Sequence, residues 1–103
     1  MQYQYVVVIR DDTLNTPSTY FPSNSRNSIK HLEEQGGTYC WIYDKEGWWV
    51  SYAHRDPKTG KVYHPKMFPD GEPRVKYVKI LEEFNRKEKQ NAECRHKSEN
   101  YAS

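Results

Sequence analysis

The apolar residues of the chain fall into a few short runs separated by polar, turn-forming segments. The first run, residues 2–10, contains Val6-Val7-Val8-Ile9, and consecutive β-branched residues are typical of a strand. Because apolar residues occupy both sides of this run, the sequence predicts a strand placed centrally in a sheet. Residues 11–24 are rich in Asp, Asn, Thr, Ser and Pro, and are predicted to form a loop.

A short helix is predicted over residues 25–35. Ser25 suits the N-cap, because its hydroxyl can accept a hydrogen bond from a free backbone N–H of the first turn. Ile29 and Leu32 lie at the inward positions, and the glycine pair at 36–37 supplies a stop.

Two aromatic-rich runs, residues 38–43 and 48–54, form the clearest pattern in the chain. They flank a turn in which Gly47 suits the left-handed residue of a bulged hairpin. A second turn is predicted at residues 56–61, where Pro57 suits an early turn position and Gly60 a late one. It leads into a further short run at residues 62–64. The pattern therefore predicts a three-stranded antiparallel meander over residues 38–64.

The C-terminal part of the chain is predicted to be helical. Residues 65–73 contain three prolines and form a connector. After it, apolar residues recur at helical spacing, at Tyr77, Ile80, Leu81 and Phe84. A strand over residues 74–78 is the competing interpretation. Beyond Phe84 the apolar pattern ends, so residues 85–103 have no face that would hold them to the domain.

These elements predict an α+β fold. It contains a small, mainly antiparallel sheet of about four strands in the order β-α-β-β-β-α, with one short helix and a long charged C-terminal helix. A chain of 103 residues has the usual size of one domain. Residues 1–84 are expected to form this single domain, and residues 85–103 a charged helical extension or tail.

Composition adds one constraint on the core. Only 35% of the residues are hydrophobic, yet 15% are aromatic, so the core must be built largely from rings. The net charge of +2 is small, and the second half of the chain is the more basic one. This balance falls short of the dense cationic patch that drives phosphate binding.

The cysteine pattern and the N-terminus favour a cytoplasmic protein. Cys40 lies in an aromatic run and Cys94 in a polar tail, which is unlike a disulfide framework. The four consecutive apolar residues at 6–9 are too few for a signal-peptide core or a membrane span. We therefore expect no contact with a membrane.

Metal binding is not predicted. No Cys-x-x-Cys, His-x-x-x-His or zinc-finger spacing occurs, and Cys94 with His96 is a weak pair. If residues 57–60 form a four-residue loop, His54 pairs with Tyr63 and His64 with Ala53. The two histidine rings then lie on opposite faces of the sheet. We expect no metal and no other cofactor.

Catalysis is also not predicted. Adjacent Glu33 and Glu34 on a helix point about 100° apart and do not converge. Cys40 lies between aromatic residues, where a buried thiol is normally inert. A small enzyme that uses His54, Asp56 or Cys40 is the least favoured alternative.

The aromatic meander supplies a candidate contact surface. A three-residue loop between the first two strands would pair Tyr43 with Trp49, Ile42 with Val50 and Cys40 with Tyr52. The face with Ile42 and Val50, which also receives Trp48, His54 and Tyr63, is then the better core. The opposite face, with its large rings beside Arg55, would be a contact surface if exposed. Alternatively, a helix or the 11–24 loop covers it, and we give both interpretations equal weight.

The function predicted from these features is binding. The protein is expected to be a small non-catalytic accessory or inhibitor protein, of the kind that phages and other mobile elements encode. It would dock on a larger protein or protein–nucleic-acid complex. The alternative is direct binding of single-stranded nucleic acid, since aromatic sheet faces can stack bases. The predicted partner-binding residues are Tyr39, Trp41, Tyr43, Trp49, Arg55, Arg86, Lys87 and Lys89.

Overall fold

The computed structural model describes residues 2–65 and 74–102, with side chains for all of these except residues 75 and 90–102. Most of the predicted connector at 65–73 lies outside the described residues. The elements, in chain order, are β1 (Tyr5–Arg10), β2 (Thr19–Ser23), α1 (Ser28–Gln35), β3 (Tyr39–Tyr43), β4 (Trp49–Arg55), β5 (Val62–Tyr63) and α2 (Arg74–Ala102).

The fold is α+β, as predicted. The strands form one five-stranded sheet in the order β2-β1-β3-β4-β5, and every neighbouring pair is antiparallel. The meander of β3, β4 and β5 is confirmed, and β1 lies inside the sheet, between β2 and β3. Residues 74–78 are helical, so the competing strand interpretation is wrong.

β2 was not expected, because residues 11–24 carry the composition of a loop. Its pairing with β1 places Tyr20 opposite Val8 and Phe21 opposite Val7, so the two rings pack on opposite faces of the sheet. Pro22 lacks an N–H group, and it is tolerated because β2 is an edge strand. The element order is therefore β-β-α-β-β-β-α, with one strand more than predicted.

Helix α1 begins later than predicted. Asn27 is the N-cap, and its side-chain Oδ1 accepts a hydrogen bond from the Lys30 N–H at 3.1 Å. The Ser25 hydroxyl instead accepts a hydrogen bond from the Asn27 N–H. The inward positions are as expected, since Leu32 is fully buried and Ile29 packs against the same cluster.

The register between β3 and β4 differs from the predicted one because of a β-bulge. Tyr43 pairs with Trp49 as expected, but Ile42 pairs with Ser51, and the intervening Val50 has no partner residue. One extra residue moves every later side chain of β4 to the other face of the sheet. Tyr52 therefore lies opposite Trp41 and shares its face.

The two faces of the sheet are covered by different helices. One core cluster packs against α1 and contains Val7, Ile9, Leu32, Cys40, Ile42 and Ala53. The other packs against α2 and contains Val6, Val8, Trp41, Tyr43, Tyr52, Tyr77 and Leu81. Each face of the sheet is therefore covered by a helix. β1 contributes alternate residues to both clusters, which explains its uninterrupted β-branched run.

Helix α2 is attached to the sheet at two points. Near its start, Arg74 Nε donates to the Glu46 carbonyl oxygen at 2.7 Å. Three turns later, the Asn85 side chain accepts from the Tyr3 N–H at 2.7 Å and donates to the Tyr3 carbonyl oxygen at 3.2 Å. Between these points the ring of Tyr77 stacks on the ring of Tyr43, with centroids 4.2 Å apart and planes at 19°.

The molecule is elongated because α2 is longer than the sheet requires. Its 29 residues span about 43 Å, and the principal extents of the molecule are 56 × 26 × 23 Å. Among the described helices, none is long and apolar enough to cross a membrane. The division into a domain (1–84) and an extension (85–103) stays a prediction.

Gly47 and Gly60 form a matched pair for testing how closely α2 approaches the β3–β4 turn. Both have positive φ, 86° and 75°, but only Gly47 is crowded: a Cβ there would lie 2.8 Å from both the Arg74 carbonyl oxygen and Val78 Cγ2. A Cβ at Gly60 meets nothing within 4 Å.

We expect Gly60→Ala to lower the free energy of unfolding by about 1 kcal/mol, from left-handed strain alone. Gly47→Ala should cost about 1–3 kcal/mol more, because α2 must also shift. Urea unfolding of both variants measures the difference. Equal losses would contradict the close approach of α2.

Candidate binding surfaces

The aromatic face predicted to be exposed is mostly covered. Trp41 and Tyr43 are 3% and 2% exposed, whereas Tyr39 and Trp49 are half-buried and pack against the same cluster. The cover comes from α2, whose Tyr77 lies on Tyr43. The expectation of an open aromatic platform is therefore wrong, and the alternative of a covering helix is correct.

Arg55 has a structural place in the fold. Its Nε donates to the Gly37 carbonyl oxygen at 3.0 Å, Nη1 to that of Gly60 at 3.0 Å, and Nη2 to that of Leu32 at 2.9 Å. The Leu32 carbonyl belongs to the last turn of α1, where carbonyl oxygens need partners and a positive charge is favourable. One guanidinium thus joins the end of α1 to the β4–β5 turn, which leaves Arg55 unsuited to the predicted contact surface.

We expect Arg55→Lys to lower the free energy of unfolding by about 1–3 kcal/mol. A lysine keeps the charge but cannot reach three carbonyl oxygens with a planar fork, so the link between the end of α1 and the β4–β5 turn loses hydrogen bonds, although the Leu32 carbonyl oxygen keeps its bond from the Gly36 N–H. Chemical denaturation measures the effect. Lys58→Ala, an exposed change in the same turn, is the control and should be neutral. Equal stability of the Arg55→Lys variant and the parent would contradict the structural role.

Four planar side chains form a row across the sheet, on the face that packs against α2 and at the end where β1 finishes and β3 begins. The register places Arg10 beside Tyr39, Tyr39 beside His54, and His54 beside Tyr63. The Arg10 guanidinium lies 4.7 Å from the Tyr39 centroid, and the His54 ring is 4.9 Å from it at 15°. His54 Nδ1 and the Tyr63 hydroxyl form a hydrogen bond of 2.9 Å. We call these four residues the cross-strand row.

The cross-strand row offers little room for a stacked base. Arg10 and His54 come from the strands on either side of β3, and both pack against the Tyr39 ring. Arg10 is also paired with Asp12, Nε to Oδ1 at 2.9 Å. Base stacking needs a free ring face. The row therefore gives no specific support to direct binding of single-stranded nucleic acid.

Sequence reasoning missed this row because it placed His54 and Tyr63 on the face opposite Tyr39. Their mutual pairing was predicted and is confirmed, but the bulge transfers both to the face of Tyr39. One signal was available: Trp49 and Val50 are consecutive large apolar residues that break the strand alternation, as a bulge does.

Several of the candidate metal and catalytic residues have structural contacts in the fold. Among residues 2–65 and 74–89, no group of three His, Cys, Asp or Glu side chains could hold a metal ion. His64 Nδ1 bonds to the Tyr52 carbonyl oxygen, and His31 Nε2 to that of Ser25 at 2.9 Å. Burial raises the pKa of the Cys40 thiol to about 12. Very little of the reactive thiolate exists there near neutral pH.

We expect Cys40 to resist alkylation in the folded protein. Burial raises the pKa of the Cys40 thiol from its ordinary value of 9.0 to about 12, so roughly one thiol in 10⁴ is ionised at pH 8. Treatment with iodoacetamide at this pH, followed by peptide mass spectrometry, should find Cys40 unmodified without urea and fully modified in concentrated urea. Rapid alkylation of Cys40 in the absence of urea would contradict the burial of its thiol.

The most exposed tryptophan lies where α2 meets the β3–β4 turn. Trp48 is 55% exposed, although the sequence placed it on the core face. The guanidinium of Arg74 lies 3.9 Å from the Trp48 ring centroid, a cation–π contact that holds one face of the ring. Asp44 Oδ1 accepts from the Trp48 N–H at 3.0 Å and fixes the backbone of the turn.

Next to this tryptophan runs a groove of about 430 Å³ between α2, the β3–β4 turn and the N-terminal segment. Val78 and Leu81 are its apolar residues. Lys45, Arg86 and Lys89 contribute three positive charges, and none of them forms an ion pair with any described residue. The remaining lining residues are Gln2, Glu82 and Asn85.

The structure separates the three predicted basic residues of the C-terminal helix. Arg86 and Lys89 line the groove. Lys87 lies outside it and pairs with Glu83 at 3.2 Å, with both side chains more than half exposed, a type of pair that contributes little to stability. Lys45 was missed because a lysine in a turn carries no signal of its own in the sequence.

Trp48 and the groove form one continuous strip. Arg74, Val78, Asn85 and Lys89 recur at intervals that keep them on one side of α2, and the β3–β4 turn runs beside this side through Trp48 and Lys45. From residue 74 to residue 89 the strip extends about 22 Å. We call it the turn-side strip.

Comparisons of the chain with models of known protein families, with curated proteins and with solved structures find no match. Its function is therefore inferred from the residues and surfaces of the chain itself.

Proposed function

We propose that this chain is a small, non-catalytic binding protein that docks on a larger protein assembly through the turn-side strip. The observation that carries the proposal is the exposed Trp48, held by Arg74 at one end of a groove with three cations that lack ion-pair partners among the described residues. The accessory or inhibitor role and the cytoplasmic location are part of this proposal. They rest on the sequence arguments given above.

The chemistry of Trp48 and Arg74 supports docking on a protein. Tryptophan and arginine are the side chains most enriched among residues that dominate interface energies. A ring held on one face by a guanidinium is already ordered, so binding against its other face costs less side-chain entropy. The exposed ring contacts Arg74, and the adjacent Gly47 approaches Val78 of the groove, so an apolar anchor lies close to charged neighbours, the usual arrangement of an interface.

The length of α2 supports the same proposal. The last described side chains that pack on the sheet are Phe84 and Asn85, and the helix continues to Ala102, about 25 Å further. A helix that is polar all round gains little from its own domain. Contact with a partner would give the extension a packing surface that its sequence does not find on the sheet.

The test compares Trp48→Ala with Leu14→Ala, since Leu14 is another exposed large apolar residue, 64% accessible, in the β1–β2 loop. Both variants should unfold within about 1 kcal/mol of the parent, because neither side chain is core. Trp48→Ala should weaken binding of the partner by about 30-fold, which corresponds to about 2 kcal/mol. Leu14→Ala should leave it unchanged.

The measurement starts with affinity capture from a lysate by the tagged parent, followed by mass spectrometry. Titration of each variant against the recovered partner then gives its affinity. If Trp48→Ala folds and binds at the strength of the parent, the docking surface is elsewhere and the proposal is wrong. Recovery of nucleic acid alone, with no protein, would favour the alternative of direct nucleic-acid binding.

A further inference from the structure

The groove beside α2 has walls that are fixed by the fold. The N-terminal segment is joined to α2 by the two hydrogen bonds between Asn85 and Tyr3. The β3–β4 turn is closed by the Asp44 carboxylate, which accepts from the backbone N–H groups of Glu46 and Trp48 at 2.9 and 3.0 Å. A ligand therefore meets a groove that already exists, which reduces the cost of binding.

The charge around the groove is unbalanced. Lys45 comes from the turn, and Arg86 and Lys89 lie one turn apart on α2, so three cations face one shared space. Among the residues whose side chains are described, Glu82 is the one carboxylate in the lining, and it is not ion-paired with any of the three cations. Cations that repel each other in this way favour an anionic ligand, which would replace repulsion by attraction.

The apolar residues of the groove indicate which kind of anionic ligand it accepts. Leu81 is 1% exposed and has little free surface, so the half-buried Val78 supplies most of the apolar contact, and a side chain seated on it would extend the core cluster that includes Leu81. A volume of about 430 Å³ lies within the range of sites that enclose small groups, about 300–1,000 Å³. The bases of a nucleic acid are broad flat rings, whereas an acidic peptide can place a compact aliphatic side chain between its carboxylates.

Nucleic acid fits this groove less well for a second reason. Single-strand binders combine a basic groove with aromatic rings on which bases stack. Among the described residues, no aromatic side chain lines the groove itself, and Trp48 beside it offers one ring that already carries Arg74. Tyr39 of the cross-strand row lies at the other end of the sheet, packed against Arg10 and His54. The net charge of the chain is only +2.

We infer that the groove binds an acidic segment of the partner protein. Its carboxylates would lie against Lys45, Arg86 and Lys89, and an apolar side chain between them would lie on Val78 and Leu81. This inference rests on the proposed function, because it names the kind of partner segment that the turn-side strip accepts.

The direct test uses a fluorescently labelled synthetic peptide of repeating Glu-Glu-Leu units, added to the full-length protein in fluorescence anisotropy. We expect it to bind, and to bind more weakly as the salt concentration rises, because exposed charges are screened. A Lys-Lys-Leu peptide of equal length should not bind. Failure of the acidic peptide to bind, or equal binding of the basic one, overturns the inference, as does tighter binding of a labelled oligothymidylate.

The matched variants are Arg86→Glu and Lys87→Glu. They are neighbours on an exposed stretch of α2 and make the same change of charge, but only Arg86 lines the groove. Arg86→Glu should weaken binding of the acidic peptide by about tenfold or more. Lys87→Glu should weaken it by about twofold or less, since this change affects only the electrostatic potential of the whole protein. Thermal melting of both variants checks that they fold. Equal weakening by the two reversals overturns the assignment to the groove.

A second comparison separates this inference from the proposed function. If the partner recovered from a lysate is lost with Trp48→Ala but retained at full affinity with Arg86→Glu, the acidic-segment inference is wrong while the docking surface stands. If neither substitution affects that partner, the proposed function fails as well. Weakening by both, with Lys87→Glu and Leu14→Ala unchanged, supports the two together.

Discussion

The packing of helix α2 across the aromatic face of the sheet is the interaction on which the rest of the molecule depends. Its centre is the stack of Tyr77 on Tyr43, two rings that are almost completely buried. The same packing brings Arg74 over Trp48 and places Arg86 beside the β3–β4 turn. The close approach at Gly47 sets how near the helix can lie. Core and candidate docking surface therefore occupy adjoining sides of one helix and share Leu81, so the packing of α2 positions both.

The high aromatic content is explained by this arrangement. A chain with few aliphatic residues has to close two core clusters, one on each face of the sheet, and rings bury the area that is needed. At one end of the sheet face that α2 covers, the polar groups of the cross-strand row lie between the buried rings and solvent. Here Arg10, Tyr39 and His54 hold one another through stacking, so these groups complete the edge of the core.

The groove and the cross-strand row lie at opposite ends of the sheet, because β1 and β3 are antiparallel. The groove lies near Gln2 and Lys45, before β1 and after β3, whereas Arg10 and Tyr39 are the last and first residues of those strands. The end with the groove also carries the exposed Trp48. The apolar anchor, the long helix and three cations without ion-pair partners in the described part of the chain thus lie at one end, an arrangement that favours a single docking surface over several independent contacts.

The sequence by itself determined the elements whose signals are local. The meander, the left-handed turn at Gly47 and the helix from residue 74 follow from alternation, helical spacing and turn chemistry, which act over a few residues. The bulge at Val50 left a local signal, two consecutive large apolar residues, but the change of register follows only from the observed strand pairing. The β2 edge strand and the burial of Trp41 beneath α2 were decided by the tertiary structure alone, because each depends on contact with another segment of the chain. A loop-like segment becomes a strand when β1 pairs with it, and a ring is core or surface according to whether a helix covers it. Trp48 shows the same limit, because its exposure was decided by the position of α2, through contacts that no local pattern encodes.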